Sequence, residues 1–246
     1  KAVIINTNAI NELIAIRRDN YLRDPRQIVS DYNNENKNID DYNGRQLLEM
    51  IQNANDESDT NSKSKKVFIK LETKTLLVAN NGNPFSKGGV ESLMYSDMSP
   101  KTMEENKVGK KGLGFRSILN WSEEIYIASY DLHLKFSEHH ARLFLDSIIE
   151  EQPNTVEVLK EKTKKEYPIA ILRCPFIEEN TALKKLPQYD TVIELSLKDG
   201  IYENISEQID KDIIPEILIF LNKLEEIEVE TKEVHSKSTF DCDVGF

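Results

Sequence analysis

"LLEMIQNAND", residues 47–56, is the stretch on which the fold assignment turns. At about 100° per residue, Glu49, Gln52, Asn53 and Asp56 fall on one side of a helix. Leu47, Leu48, Met50, Ile51 and Ala54 fall on the other. A solvated stripe ordinarily mixes in Lys or Arg along its length. Here the nearest base is Arg45, one turn upstream, and the stripe itself holds only acids and amides. It is either a solvent face of chance composition or one wall of a site.

The 246 residues are enough for one large domain with a real core and no need of disulfides. The net charge of −11 argues against broad binding to a phosphate backbone, so no nucleic-acid role is expected of this domain. Cys174 and Cys242 fit no metal or redox spacing and read as reduced thiols, which points to a cytoplasmic protein. No apolar run approaches the length of a membrane span, so no membrane partner is expected. The first residue is not Met and the chain ends at "FDCDVGF"; both ends read as those of a fragment of something longer.

Residues 6–18 have helical periodicity, with Asn8 as the N-cap. The stretch that follows, to about residue 44, is polar and broken, with a short helix near Pro25. A helix from about Gly44 to Glu57 carries the opening stripe. Strands are expected at 67–72, 75–80, 124–129, 132–136, 168–173, 190–197 and 226–231, and a helix at 205–223. Residues 81–111 are Gly-, Pro- and polar-rich with little apolar pattern, the composition of a functional lid or a disordered loop. "GLGFRSILN" reads as a Gly-rich turn running into a helix. Adjoining strands mixed with helices predict an α+β fold with a mixed, mostly antiparallel sheet, not a doubly wound one.

Two further motifs follow the stripe in order. "VANNGNPF", residues 78–85, is a turn signature directly after a strand. "VGKKGLGFRS", residues 108–117, has glycines that let a backbone approach a phosphate, and a helix start whose N–H groups favour anions. Taken singly each is weak. Taken in order, they resemble the nucleotide-binding domain of the GHKL ATPases (the Hsp90-like, Bergerat-fold group), closest to its sacsin/NO VEIN-like branch. "LLEMIQNAND" resembles the N-box, "NNGNPF" the first Gly box, and "GKKGLGFRSIL" the second. "YDTVIELSLKDG", residues 189–200, resembles the Thr-bearing strand beside the adenine. The resemblance spans roughly residues 40–231.

The resemblance implies a two-layer α/β sandwich. It also implies a division into an N-terminal helical extension (1–40), an ATP-binding domain (41–235) with a lid at about 86–108, and a linker-like tail (236–246). By it, Glu49 is the base that orients the attacking water, Asn53 coordinates Mg²⁺, and Asp56 supports the adenine side. Gly82 lets the base lie against the backbone. Gly109, Lys110, Lys111, Gly112, Leu113, Gly114 and Phe115 wrap the phosphates, and Thr191 bonds near the adenine. Asn80 departs from the Asp usual in the family. An Asn both accepts and donates, so the choice between adenine and guanine stays open.

The implied ligands are ATP and Mg²⁺. The implied function is Mg-dependent ATP binding, with slow hydrolysis in the isolated domain. Lid closure would be coupled to a protein client or to homodimerisation on ATP. The alternative is a nucleotide-gated interaction module with little or no turnover. His139 and His140 lack zinc spacing, and Trp121 and Cys174 read as packing residues.

Overall fold

The protein is described from a computed structural model that covers residues 7–41, 43–58, 65–85, 87–94, 114–179, 182–214 and 216–239. Three helices come first: α1 (Thr7–Arg23), α2 (Arg26–Asp41) and α3 (Gln46–Glu57). The hairpin of β1 (Lys66–Glu72) and β2 (Thr75–Asn80) leads to α4 (Lys87–Met94) and a 3₁₀ helix at Gly114–Asn120. A second hairpin, β3 (Ser122–Ser129) and β4 (Leu132–Ser137), is followed by α5 (Glu138–Glu151), α6 (Thr155–Lys162) and β5 (Phe176–Ile177). The remaining elements are α7 (Ala182–Lys185), β6 (Thr191–Leu197), α8 (Tyr202–Asp212), α9 (Ile217–Phe220), β7 (Glu226–Glu230) and β8 (His235–Thr239).

Among the described residues the strands form one sheet in the order β5-β4-β3-β6-β2-β1-β7-β8. Every pairing is antiparallel except β1 with β7. The fold is thus α+β with a mixed, mostly antiparallel sheet, as the adjoining strands imply.

The period-2 alternation of strands sorts the two faces. Ile69, Val78, Ile127, Leu134, Ile193 and Val229 point to one side, into a single core with Leu47, Met50 and Ile51 of α3, Ile10 and Leu13 of α1, and Ile205 of α8. The opposite face is largely polar, with cross-strand pairs such as Lys70–Glu230 (3.1 Å) and Lys135–Glu124 (3.0 Å). A small cluster of Phe68, Ala79, Val192 and Tyr189 under α7 is the apolar part of that face. Apart from the four-residue α7, the helices that pack on the sheet therefore cover one side of it, giving two layers.

Five expectations are corrected. Asn8 is not an N-cap but lies inside α1, which already includes Thr7. The broken polar stretch is the 16-residue helix α2. Its inward face carries Asp31 and Glu35, so an apolar count cannot see it. Residues 168–173 are not a strand; they contain a 3₁₀ turn at Ile171–Arg173. The helix expected over 205–223 is two helices, α8 and α9. The strand β8 begins just before the stretch read as tail, and pairs with β7.

The first two helices are bound to the rest by buried polar chemistry. The Asp31 carboxylate takes Arg17 at 3.2 Å, Arg173 at 3.0 Å and the Tyr21 hydroxyl at 2.7 Å. The Glu35 carboxylate accepts the N–H groups of Ile171 (2.7 Å) and Leu172 (3.0 Å). Around this network Tyr21, Ile28, Val29, Leu145, Ile148 and Leu159 form a second apolar cluster. Breaking a buried ion pair by removing one partner costs about 3–5 kcal/mol, so the extension is an integral part of the structure.

Burial pushes Glu35 up to about 7, outweighing the two N–H donors and the nearby Arg116 and Arg173. A carboxyl whose value rises on folding stabilises the protein below its unfolded value, and that contribution fades as pH climbs through about 7. The melting temperature of the wild type should therefore fall between about pH 5 and pH 8 more steeply than that of Glu35→Gln. Parallel melting profiles for the two proteins would contradict this assignment.

Candidate functional site

The helix α3 is held at both ends. At its start Gln46 is fully buried and receives the Gln208 amide of α8 at 3.0 Å. At its end the Ser58 hydroxyl donates to the Ala54 carbonyl (3.0 Å), and the Asn55 side chain accepts the Lys223 N–H (3.0 Å). The apolar side packs in the core as the periodicity predicts, and the 3₁₀ helix Gly114–Asn120 lies against it. Glu49 and Asn53 lie half-buried at the border of that side, and Asp56 is exposed near its end. A side chain on a pinned helix keeps its position better than one on a loop.

One expectation about Glu49 changes. Its carboxylate, 17% exposed, lies 3.5 Å from the Arg45 guanidinium, one turn earlier. The base that the stripe lacked is supplied from just outside it. Arg45 is well exposed, so the pair is a weak, screened one.

The first Gly box lies where the sheet meets the end of α3. In register, Asn80 of β2 stands opposite Thr191 of β6, and Thr191 opposite Ser129 of β3. Alternation from Val78, Ile193 and Ile127 puts all three residues on the helix-covered face. All three are buried. The Ser129 and Thr191 hydroxyls are 2.7 Å apart, and Ser129 also accepts the Phe85 N–H at 3.1 Å. The Asn80 amide donates to the Asn81 carbonyl at 3.3 Å. At this end of the sheet the core between the layers gives way to a row of polar groups. A polar row on the core face of three adjacent strands requires a reason, because burying such groups is costly.

Gly82 is fixed against that row. Its φ is +148°, and a Cβ there would lie 2.3 Å from the Glu57 carbonyl oxygen. The next residue, Asn83, donates its N–H to the same carbonyl at 2.8 Å. The Gly82 N–H donates to the Asp190 carboxylate at 3.1 Å. The Tyr130 hydroxyl donates to the Gly82 carbonyl at 3.4 Å. Burial raises the Tyr130 phenol above its usual value, and the facing Asp190 carboxylate adds to this.

The structure thus brings Asn80, Gly82 and Thr191 together beside the end of α3. Of the second Gly box, Gly109, Lys110, Lys111, Gly112 and Leu113 lie outside the described residues. Gly114 starts the 3₁₀ helix, and the Phe115 side chain is in the core. Of the lid segment, residues 87–94 form α4 with Val90, Leu93 and Met94 in the core, and 95–108 lie outside the described residues. The buried Arg116 guanidinium donates to the Ser92 and Leu93 carbonyls, at 3.3 and 2.9 Å, and so ties the 3₁₀ helix to the end of α4.

Ser129, Tyr130 and Asp190 were not singled out from the sequence. Asp190 had a signal, since it precedes Thr191 in a quoted motif. Ser129 and Tyr130 had none, because cross-strand register placed them. Elsewhere, Trp121 is buried at the end of the 3₁₀ helix and bonds Asn204 at 3.1 Å, and burial pushes the Cys174 thiol well up. His140 accepts from or donates to Ser137 at 2.7 Å and stacks on Phe176. Among the described residues no group of His, Cys, Asp and Glu could hold a metal unaided. A separate groove of about 580 Å³ between α1, α5 and β5 is lined by Ile14, Leu143, Phe144 and Phe176, and holds none of the expected site residues.

Fold and site together define a two-layer α/β domain with a buried polar row at one end of its sheet. No protein-family model matches the chain. It is similar to Protein NO VEIN of Arabidopsis thaliana, at 29% identity over 115 residues. That match covers 46% of this chain and only 4% of the plant protein, so the chain spans a small part of its relative's length. No helix among the described residues is long and apolar enough to cross a membrane.

The Gly82 contact generates a direct test. Gly82→Ala should lose about 1–3 kcal/mol of stability in denaturant melts, because the left-handed backbone and the Glu57 carbonyl both oppose a Cβ. An alanine variant as stable as the wild type would show that the turn has room to move.

Proposed function

We propose that this chain is a GHKL-type, Mg-dependent ATP-binding domain of a larger sacsin-like protein, with slow ATP hydrolysis. The observation that carries the reading is the buried row Asn80–Thr191–Ser129 beside the pinned Gly82. This row offers amide and hydroxyl groups to a planar polar ligand between the two layers. The ordered motifs and the partial similarity to Protein NO VEIN support the same reading.

The donor set fits Mg²⁺ in one manner only. Asn53 offers a single amide oxygen from a held helix, which suits an ion carried in by phosphate oxygens and water. Bound there, the ion would neutralise charge on the phosphoryl oxygens. The chain's own residues do the rest. Asn80 and Thr191 receive the base, and Gly82 lets it approach the backbone. Asp56, at the exposed end of the helix, would support the base side, and the backbone around Gly114 and Phe115 would face the phosphates. Glu49 accepts the proton of a water that attacks the terminal phosphorus as the bond to the leaving ADP oxygen breaks.

A second reading is favoured by the Arg45–Glu49 pair. A carboxylate already facing a guanidinium offers fewer free oxygens to orient an attacking water, which suits a nucleotide-gated interaction module with little turnover. Coupling to a protein client or to dimerisation on ATP belongs to either reading.

Titration calorimetry of this chain with Mg²⁺ and a non-hydrolysable ATP analogue should show saturable binding at or below millimolar nucleotide; a flat titration sinks both readings. Glu49→Ala should keep that affinity within about threefold, since the base acts in turnover and not in binding. Where turnover is measurable, the same variant should reduce it by at least about a hundredfold. Equal turnover in variant and wild type removes Glu49 from its role.

A further inference from the structure

We infer that Asp190 and Tyr130 are positioning residues that hold the Gly82 peptide as the fixed wall of the base pocket, and so set how well the site grips and discriminates a nucleobase. The inference rests on the nucleotide reading above.

Gly82 is held on three sides by three different elements. Its N–H is taken by the carboxylate of Asp190, the residue just before β6. Its carbonyl is taken by the Tyr130 hydroxyl, from the turn between β3 and β4. Its Cα rests against the Glu57 carbonyl, at the end of α3. The holders are tied to one another in turn. The Asp190 N–H donates to the Asn80 carbonyl at 3.1 Å, and the Tyr130 N–H donates to the Asp190 carbonyl at 3.3 Å. A glycine that needed only to turn the chain would not require both of its peptide groups to be fixed from distant strands.

The backbone of Tyr130 is an independent sign. Its φ is +53°, the one left-handed non-glycine residue among those described. It lies at the first position of a two-residue hairpin turn, where Gly, Asn or Asp relieves the strain. A bulky residue in that region is strained and persists where the surrounding structure holds it there. Here the ring stays partly exposed while its hydroxyl reaches Gly82 and faces Asp190.

The arrangement also assigns the carboxylate at this end of the sheet. Residue 80, where the resemblance leads one to expect an acid, is an amide whose Nδ2 is turned to the Asn81 carbonyl. The acid is Asp190, and it points at the glycine peptide. Base grip in this chain therefore depends on a hydrogen bond one step behind the ligand.

The test uses the full chain and three probes with Mg²⁺: a non-hydrolysable ATP analogue, its GTP counterpart and inorganic triphosphate. Asp190→Ala should weaken the ATP analogue by about tenfold, the loss expected for a hydrogen bond to a charged acceptor. It should narrow the ATP-to-GTP preference and leave inorganic triphosphate within twofold on the order of experimental error. Asp190→Asn keeps an acceptor for the Gly82 N–H and should restore the ATP analogue to within about threefold of wild type. Tyr130→Phe, which removes only a hydroxyl and is the safeguard should Asp190→Ala not fold, should weaken it by about threefold. Wild-type binding that Asp190→Ala and Tyr130→Phe both leave unchanged overturns this inference alone. Equal losses for all three probes mean general damage to the fold and overturn it too. No binding by the wild type overturns the nucleotide reading, and this inference with it.

Discussion

The close approach of Gly82 to the Glu57 carbonyl is the contact on which the rest of the site depends. It joins the end of the acid-and-amide helix to the end of a three-strand ledge, with no side chain between them. Were that joint loose, Asn80 and Thr191 would still pair in the sheet, but nothing would hold the stripe of α3 in a fixed relation to them. The second support, at the other end of the helix, is the buried Gln46–Gln208 amide pair. Each amide inside a core demands its partner, because an unmet one costs about 1–3 kcal/mol. The helix is thereby placed by polar constraints at its ends and by apolar packing along its length.

The same logic explains the N-terminal helices. Asp31 and Glu35 are acids on the inward side of α2, and both have partners on the segment around residues 171–173. Arg116, next to the second Gly box, lies close enough to lower the Glu35 value while it ties the 3₁₀ helix to α4. The extension, the 3₁₀ helix that begins at Gly114 and the end of α4 are therefore neighbours in one buried network. A change of charge at Glu35 would be felt at that junction first.

Periodicity encodes much of this fold. The hairpin strands at 67–72 and 75–80, the strands at 124–129 and 132–136, and the helix carrying "LLEMIQNAND" stand where alternation and apolar spacing placed them. The pattern is silent where burial and polarity part company. Nothing in an apolar count reveals that Asp31 and Glu35 face inward, so α2 read as a broken loop. The apolar run at 168–173 looked like a strand, but the Glu35 carboxylate takes the N–H groups that a sheet neighbour would need. The split between α8 and α9 had its signal in Pro215, which cannot continue a helix. In the candidate site, motif order pointed to Asn80, Gly82 and Thr191, which the fold places near one another. Ser129 and Tyr130 were not, because only the strand register brings them to the row.

The most direct measurement is an amide NMR titration of the chain with Mg²⁺ and a non-hydrolysable ATP analogue. The account predicts that the largest saturable shifts fall on Gly82, Asn83, Asp190 and Thr191, with a second group on α3 around Asn53. Shifts confined to the separate apolar groove beside Phe144 and Phe176, or no saturable shifts at the Gly82 turn, would contradict it.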